Sequence, residues 1–390
     1  MRDLAPRNYR PKVALGVDVF LEEEAEKWKG KKIGLMINQA SVTTTLVPTL
    51  WAFLEEGLNI TAIFTPEHGL FGEAQAGEKV ASSIDEATFI PVFSLYGETR
   101  KPTLEMLENV DVLICDLPEI GARYSTYIAT MILAMQSTGE KGIPFIVLDR
   151  PNPIGGKREG NIIEEKLRSF VGMLPIPNRH GLTPGELALY AREVYSLDLD
   201  LTVIPMKGWK RKMFYDDTGL IWINPSPNLP HLENVWHYPG ACLLEGTNIS
   251  EGRGTTKPFK ILGAPWIRGY ELAMELNANS EGVFFREVRF VPTFSKYRGE
   301  LCQGVEVHIL DPKMEVITLH LFILQMIKAL YPDKLKWLKR EEGYVIDFLA
   351  GTDEVRKTID GFGSFSEILN DWLEELEGFE EAIQPYLLYE

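Results

Sequence analysis

The sequence is poor in cysteine and histidine, has no dense basic stripe and has no long apolar run. Three cysteines in 390 residues, Cys115, Cys242 and Cys302, cannot build a disulfide framework. Cys115 lies inside an apolar run and reads as a small core residue. The six histidines show no close pairing, and H-E-x-x-H and C-x-x-C are both missing. No metal site is therefore expected. The Gly-Lys-Ser/Thr ending of a nucleotide loop is absent, and no G-x-G-x-x-G follows the first strand. No cofactor is expected, and the missing G-x-S-x-G removes one common serine nucleophile. No segment reaches the roughly 18 apolar residues that read as a membrane span. The first twenty residues hold no apolar signal core, so as it stands the sequence reads as cytoplasmic. A secreted or periplasmic protein whose leader had been removed would look the same.

Positive charge is also scarce. The formal net charge is −16. Residues 340–390 carry 14 acidic and 3 basic side chains, a net of −11, which leaves −5 for the rest. Lys207, Lys210, Arg211 and Lys212 form the densest basic group. Four charges make a weak footprint for a polyanion, so nucleic acid is not an expected partner. Oligomeric state is not written in the sequence.

What is present is alternation. Short apolar runs at 33–37, 60–64, 111–116, 143–149 and 200–206 read as buried strands. Helical patterns at 47–56, 103–110, 126–142 and 183–197 separate them. Thr183, Pro184 and Glu186 make a helix start of the capping-box type. This order predicts an α/β fold with a mostly parallel, Rossmann-like sheet over residues 13–236. Residues 215–260 are rich in Pro, Asn and Gly and read as long loops. A smaller α+β domain is expected over 237–390, with helices near 269–278, 318–330 and 364–376 and strands at 283–292 and 304–309. Its loop 245–256 would reach the cleft.

Ligands of open parallel sheets bind beyond the carboxyl ends of the strands. Those ends deliver Asn38, Glu67 with His68, Asp116 with Glu119, and Asp149 with Arg150. Glu67 sits between Pro66 and His68-Gly69, on a segment that is stiff before and permissive after. It reads as a general acid or base, or as a solvated loop residue beside a satisfied histidine. Asp116, Asp149 and Glu119 are candidate partners or buried acceptors of loop N–H groups. Arg123 and Arg150 would grip an anionic substrate or pair with those aspartates. Arg179 and His180 precede the capped helix, where an anion is favoured. Glu245, Asn248, Ser250 and Arg253 occupy a loop dense in small and permissive residues. Tyr96, Tyr124, Tyr127 and Trp209 are candidates for packing on a ligand ring or in the core.

The segments FTPEHGLFGEAQAGE (64–78), PVFSLYGETRKPTLEML (91–107), DVLICDLPEIGARYSTYI (111–128), FIVLDRPNPIGG (145–156), PIPNRHGLTPGELA (175–188) and YPGACLLEGTNISEGRGTTKPF (238–259) resemble the NamZ-type exo-β-N-acetylmuramidases, a bacterial glycoside hydrolase family. The likeness runs in order through residues 13–270. It implies a Rossmann-like catalytic domain with a smaller C-terminal domain. It implies release of terminal N-acetylmuramic acid from the non-reducing end of peptidoglycan fragments, with Glu67 as the key catalytic residue. The expected partner is a muramyl saccharide or muropeptide, and the lactyl carboxylate of N-acetylmuramic acid would suit Arg123, Arg150, Arg179 or Arg253. Asp116-Leu117-Pro118-Glu119 departs from the family's Asp-x-Gln-Asp, which bears on sugar preference if the amide touches the sugar. The rival readings are a glycosidase of other amino-sugar specificity and a non-catalytic muropeptide-binding protein.

Overall fold

A computed structural model describes residues 9–311 and 313–390. The first eight residues, which belong to the stretch read for a leader, lie outside the described residues. Seven strands form the main sheet: β1 (Lys32–Met36), β2 (Asn59–Thr65), β3 (Ser83–Ile84), β4 (Pro91–Ser94), β5 (Val112–Cys115), β6 (Phe145–Leu148) and, after a hairpin of β7 (Glu159–Ile162) with β8 (Pro177–Arg179), β9 (Leu201–Ile204). Their spatial order is β3-β4-β2-β1-β5-β6-β9. Every pairing is parallel except the short edge strand β3 on β4. Leaving out β3, this is the Rossmann order, in which the chain winds outward from β1 in one direction and then in the other.

The strands are apolar throughout because both faces are covered. Ile33, Leu35, Val112, Ile114, Ile146 and Leu148 point to one face, where they pack with Phe20 and Phe53. Those two rings, from helices Gly16–Glu23 and Thr49–Glu55, lie 5.2 Å apart. The alternate residues Met36, Phe64, Leu113, Cys115, Phe145 and Val147 pack with Ile128, Met131 and Leu187 of helices Thr126–Lys141 and Pro184–Val194. The first of these helices closes at Gly142, whose φ of 74° gives the left-handed turn a C-terminal glycine supplies. The second opens on the Thr183–Glu186 capping box. One expected helix is absent: residues 103–110 form successive turns, with only scattered backbone bonds such as Leu107 N–H to Thr103 O.

The remaining elements form a smaller α+β unit. β10 (Ile261–Ala264), β11 (Val283–Phe290) and β12 (Cys302–Ile309) make an antiparallel sheet in the order β10-β12-β11. Helices Leu232–Ala241, Gly269–Ala278 and Val316–Leu330 pack with it around one core that includes Leu243, Leu262, Phe285, Val305 and Ile323. The strands β13 (Lys339–Arg340) and β14 (Gly343–Tyr344) form a small hairpin. Helices Val345–Ala350, Glu354–Asp360 and Ser366–Ile383 follow. The 215–260 stretch is not all loop, since Leu232–Ala241 is helical with Pro239 inside it. The chain then returns to the first unit: Phe379 and Ile383 join the core of the main sheet. Tyr389 stacks edge-on against Trp209 at 4.9 Å. All three cysteines are buried thiols, and among the described residues no helix is long and apolar enough to cross a membrane.

Candidate active site

A cleft of about 790 Å³ opens between the two units. The loops after β2 and β4 and the start of helix Thr126–Lys141 form one wall. Residues 238–259, 294–296 and the β13–β14 hairpin form the other.

Glu67 lines this cleft directly beyond β2. It is 7% exposed. One carboxylate oxygen accepts the Gly77 N–H at 2.7 Å, and the other accepts the Thr126 hydroxyl at 2.7 Å. Thr126 is the first residue of a 16-residue helix, so the positive end of that helix lies close to the carboxylate. His68 next to it has φ +76°, and Gly69 follows at +79°. Two consecutive left-handed residues swing the chain sharply back. A non-glycine residue held there costs about 1–2 kcal/mol, and such positions cluster at functional sites. His68 Nδ1 lies 2.8 Å from the Ala74 carbonyl, which can only accept, so Nδ1 carries the proton. Burial lowers the His68 pKa, against the attraction of Glu67 beside it. The ring is neutral at pH 7.

Tyr96 also lines the cleft, beside Glu67. Burial first, then the Glu67 charge, pushes its pKa up to about 12. Its hydroxyl stays protonated and available as a donor. Tyr124, Tyr127 and Tyr238 add further aromatic wall. The Tyr124 hydroxyl is buried without a hydrogen-bond partner in the protein. Across the cleft, Arg253 donates from Nε at 3.1 Å and from Nη2 at 2.7 Å to Glu245. Its Nη1 is likewise buried without a partner. Lys296 donates to Glu251 at 2.9 Å and to two carbonyls.

Of the residues singled out in the sequence, the cleft gathers Glu67, His68, Tyr96, Tyr124, Tyr127, Glu245 and Arg253. The others serve elsewhere. Arg150 forms a buried two-point ion pair with Asp116, at 2.6 and 2.8 Å, and Thr49 adds its hydroxyl to that carboxylate. This pair fills the place where the winding of the sheet reverses. Asp149 accepts from Thr183 and Gly185, both at 2.8 Å, and from the Tyr389 hydroxyl, tying β6 to the next helix and to the C-terminus. Glu119 accepts the Gly121 N–H at 3.0 Å and faces His180 Nε2 at 3.4 Å. Glu119, Pro118 and Arg150 border a separate small hollow of about 30 Å³, so the departure at Pro118 is not on the cleft wall. Arg123 is wholly buried and donates to the carbonyls of Asn161, Ile176, Leu349 and Ala350. Arg179 donates to the Ile154 carbonyl. Asn38 closes an Asx turn onto Ala40 N–H. Asn248 clamps residues 334–336, and Ser250 accepts from Gly252 N–H. Trp209 packs on Tyr389. These groups turn most of their hydrogen bonds to the fold, while Asn38 Nδ2, Arg123 Nε, Arg179 Nε and Trp209 Nε1 are buried without a partner in the protein.

Sequence reasoning missed Arg100, Thr126, Phe170, Glu251, Lys296 and Arg340, all of which line the cleft. A signal existed for Arg100: it follows β4, but the four-residue PVFS strand is too short to stand out. Lys296 and Arg340 come from a different unit and carried no local signal. Among the described residues no group of three or more His, Cys, Asp or Glu side chains could hold a metal.

A carboxylate gripped at a strand end, a cleft large enough for a saccharide and walls of tyrosine define a class: a two-part α/β glycoside-processing enzyme. Two family models match, exo-β-N-acetylmuramidase NamZ N-terminal over residues 33–233 and NamZ C-terminal over residues 236–389. The chain belongs to the NamZ family. It is 47% identical to the peptidoglycan β-N-acetylmuramidase NamZ of Bacillus subtilis, covering 97% of this chain and 92% of that protein. Two solved structures of DUF1343 family proteins from Bacteroides fragilis share the fold. One has a TM-score of 0.89 at 38% identity and covers 98% of this chain and 100% of that one. The other has a TM-score of 0.77 at 31% identity, with 97% and 99% covered.

Proposed function

We propose that this protein is an exo-β-N-acetylmuramidase that releases terminal N-acetylmuramic acid from the non-reducing end of peptidoglycan fragments. The observation that carries the reading is Glu67, fixed at the cleft floor by Thr126 and Gly77, in a chain 47% identical to a peptidoglycan β-N-acetylmuramidase. Glycoside hydrolysis breaks the C1–O bond as an acid protonates the leaving oxygen, and water supplies the oxygen that ends on C1. Glu67 is the proton donor in this reading. Thr126 and Gly77 occupy one lone pair on each of its oxygens, so a proton can sit on a lone pair facing the cleft. The protonated Tyr96 hydroxyl beside it is placed to donate to the carboxylate left behind. Glu245, oriented by Arg253 on the opposite wall, is the candidate second carboxylate.

The test is turnover of a chromogenic β-N-acetylmuramide and of a muramyl disaccharide, compared with the matching N-acetylglucosaminide. The expected result is release of N-acetylmuramic acid by the wild type and none by Glu67→Gln, whose circular dichroism is unchanged. Full activity in Glu67→Gln would remove the assignment. Tight muropeptide binding in a calorimeter without turnover would favour a binding protein instead.

A further inference from the structure

The cleft brings together two kinds of cation. Arg253 and Lys296 are committed: Arg253 to Glu245 and Glu251, Lys296 to Glu251 and two carbonyls. Arg100 makes no ion pair among the described residues and stands exposed at the edge of the same cleft. It is nevertheless not a loose surface side chain. Its guanidinium lies 4.0 Å from the centre of the Phe170 ring and 4.8 Å from that of Tyr96. Those two rings are themselves packed at 6.1 Å. An aromatic platform of this kind holds the planar fork in place, with one N–H group set beside the Tyr96 hydroxyl and the remainder of the exposed fork open to the cleft. The Tyr96 hydroxyl is in the electrostatic field of both Glu67 and Arg100. A single side chain thus separates the fork from the proposed proton donor.

We infer that Arg100 is the residue that reads the lactyl carboxylate of the sugar whose bond is cleaved. This rests on the function proposed above and names the group that discriminates muramic acid from glucosamine. The two sugars differ by the lactyl ether on C3, which carries the only full charge of the unit. A carboxylate gripped by a pre-set guanidinium fork forms two parallel charge-assisted hydrogen bonds. Arg253 does not offer a free fork, because Nε and Nη2 already hold Glu245 and only Nη1 is left without a partner. Arg340 is the competing cation, carried on the β13–β14 hairpin at the other side of the cleft.

The experiment compares wild type, Arg100→Gln, Arg100→Lys and Arg340→Gln on three substrates with one leaving group. These are the β-N-acetylmuramide, its lactyl methyl ester and the β-N-acetylglucosaminide. Arg100→Gln is expected to raise KM for the free-acid muramide about 10- to 100-fold with kcat little changed. Arg100→Lys should recover part of that loss. On the ester and the glucosaminide, wild type and Arg100→Gln should behave alike. An unchanged KM in Arg100→Gln, an equal loss on acid and ester, or the selective loss appearing in Arg340→Gln instead would each overturn the inference. Absence of muramide turnover by the wild type would defeat the proposed function separately. Calorimetric binding of free N-acetylmuramic acid against N-acetylglucosamine, to wild type and Arg100→Gln, would then decide the role of Arg100.

Discussion

Glu67 shows how much of a site rests on one or two hydrogen bonds. Its place beyond a strand was legible, because Pro-Glu-His-Gly after an apolar run is a turn with a carboxylate in it. Its partners were not legible: Thr126 is 59 residues away and meets it only because a helix start faces the end of β2. A hydrogen bond to a charged group is worth roughly 1.5–3 kcal/mol. Thr126→Val should therefore lower kcat on the muramide by about 10- to 100-fold, since the carboxylate loses orientation. The midpoint of thermal unfolding should move by only a few degrees. An unchanged kcat would mean that Gly77 alone positions Glu67. The arginines carry the opposite lesson. Arg123, Arg150 and Arg179 have the chemistry of an anion site, but carbonyls and Asp116 consume them in the interior.

At the level of elements, the periodic strands and the capped helices came through with small boundary changes. Failures occurred where the local signal was weak or mixed. Residues 103–110 have helical spacing but remain turns, since the segment is short and lies between Pro102 and the start of β5. Leu232–Ala241 is a helix despite Pro239, because its buried residues join the C-terminal core. That helix meets Val316–Leu330 at Gly240, where an added Cβ would stand 2.1 Å from the Val316 carbonyl oxygen and 2.3 Å from His320 Nδ1. The close crossing has no room for a methyl group. Gly240→Ala should destabilise the protein by about 1–3 kcal/mol, the cost of overpacking a tight contact. The readout is the urea midpoint, and an unaltered midpoint would show that the helices separate freely.

The whole molecule is held together by returns of the chain that no segment announces. The C-terminal Tyr389 reaches Asp149 at the end of β6, while Leu388 N–H donates to Glu186. Burial pushes the Asp149 pKa up to about 7, against the bonds from Tyr389, Gly185 and Thr183 that favour its charged form. An unfolded aspartate titrates near 3.9. Between about pH 4 and pH 7 the folded protein therefore binds more protons here than the unfolded chain. Through this group, stability falls as pH rises across that window. Asp149→Asn should flatten that slope whatever it does to absolute stability. Chemical unfolding at several pH values checks it, and an unchanged slope would remove Asp149 as its source.

The sequence by itself determined the class of fold and the position of Glu67 just beyond a strand, because burial on both faces leaves an apolar alternation and a strand end leaves a recognisable turn. It also determined that most of the excess negative charge lies in residues 340–390, although folding brings Arg340 and Glu342 of that stretch to the cleft that Glu67 lines. Only the tertiary structure decided which polar groups face the cleft. Asp116 and Arg150 neutralise each other where the sheet reverses, whereas Arg100 stands exposed on its two rings with no ion pair among the described residues. The physical reason is that an ionisable side chain is defined by its partner. Partners such as Thr126 for Glu67 or Tyr389 for Asp149 come from distant parts of the chain, joined only once hydrophobic burial has folded it.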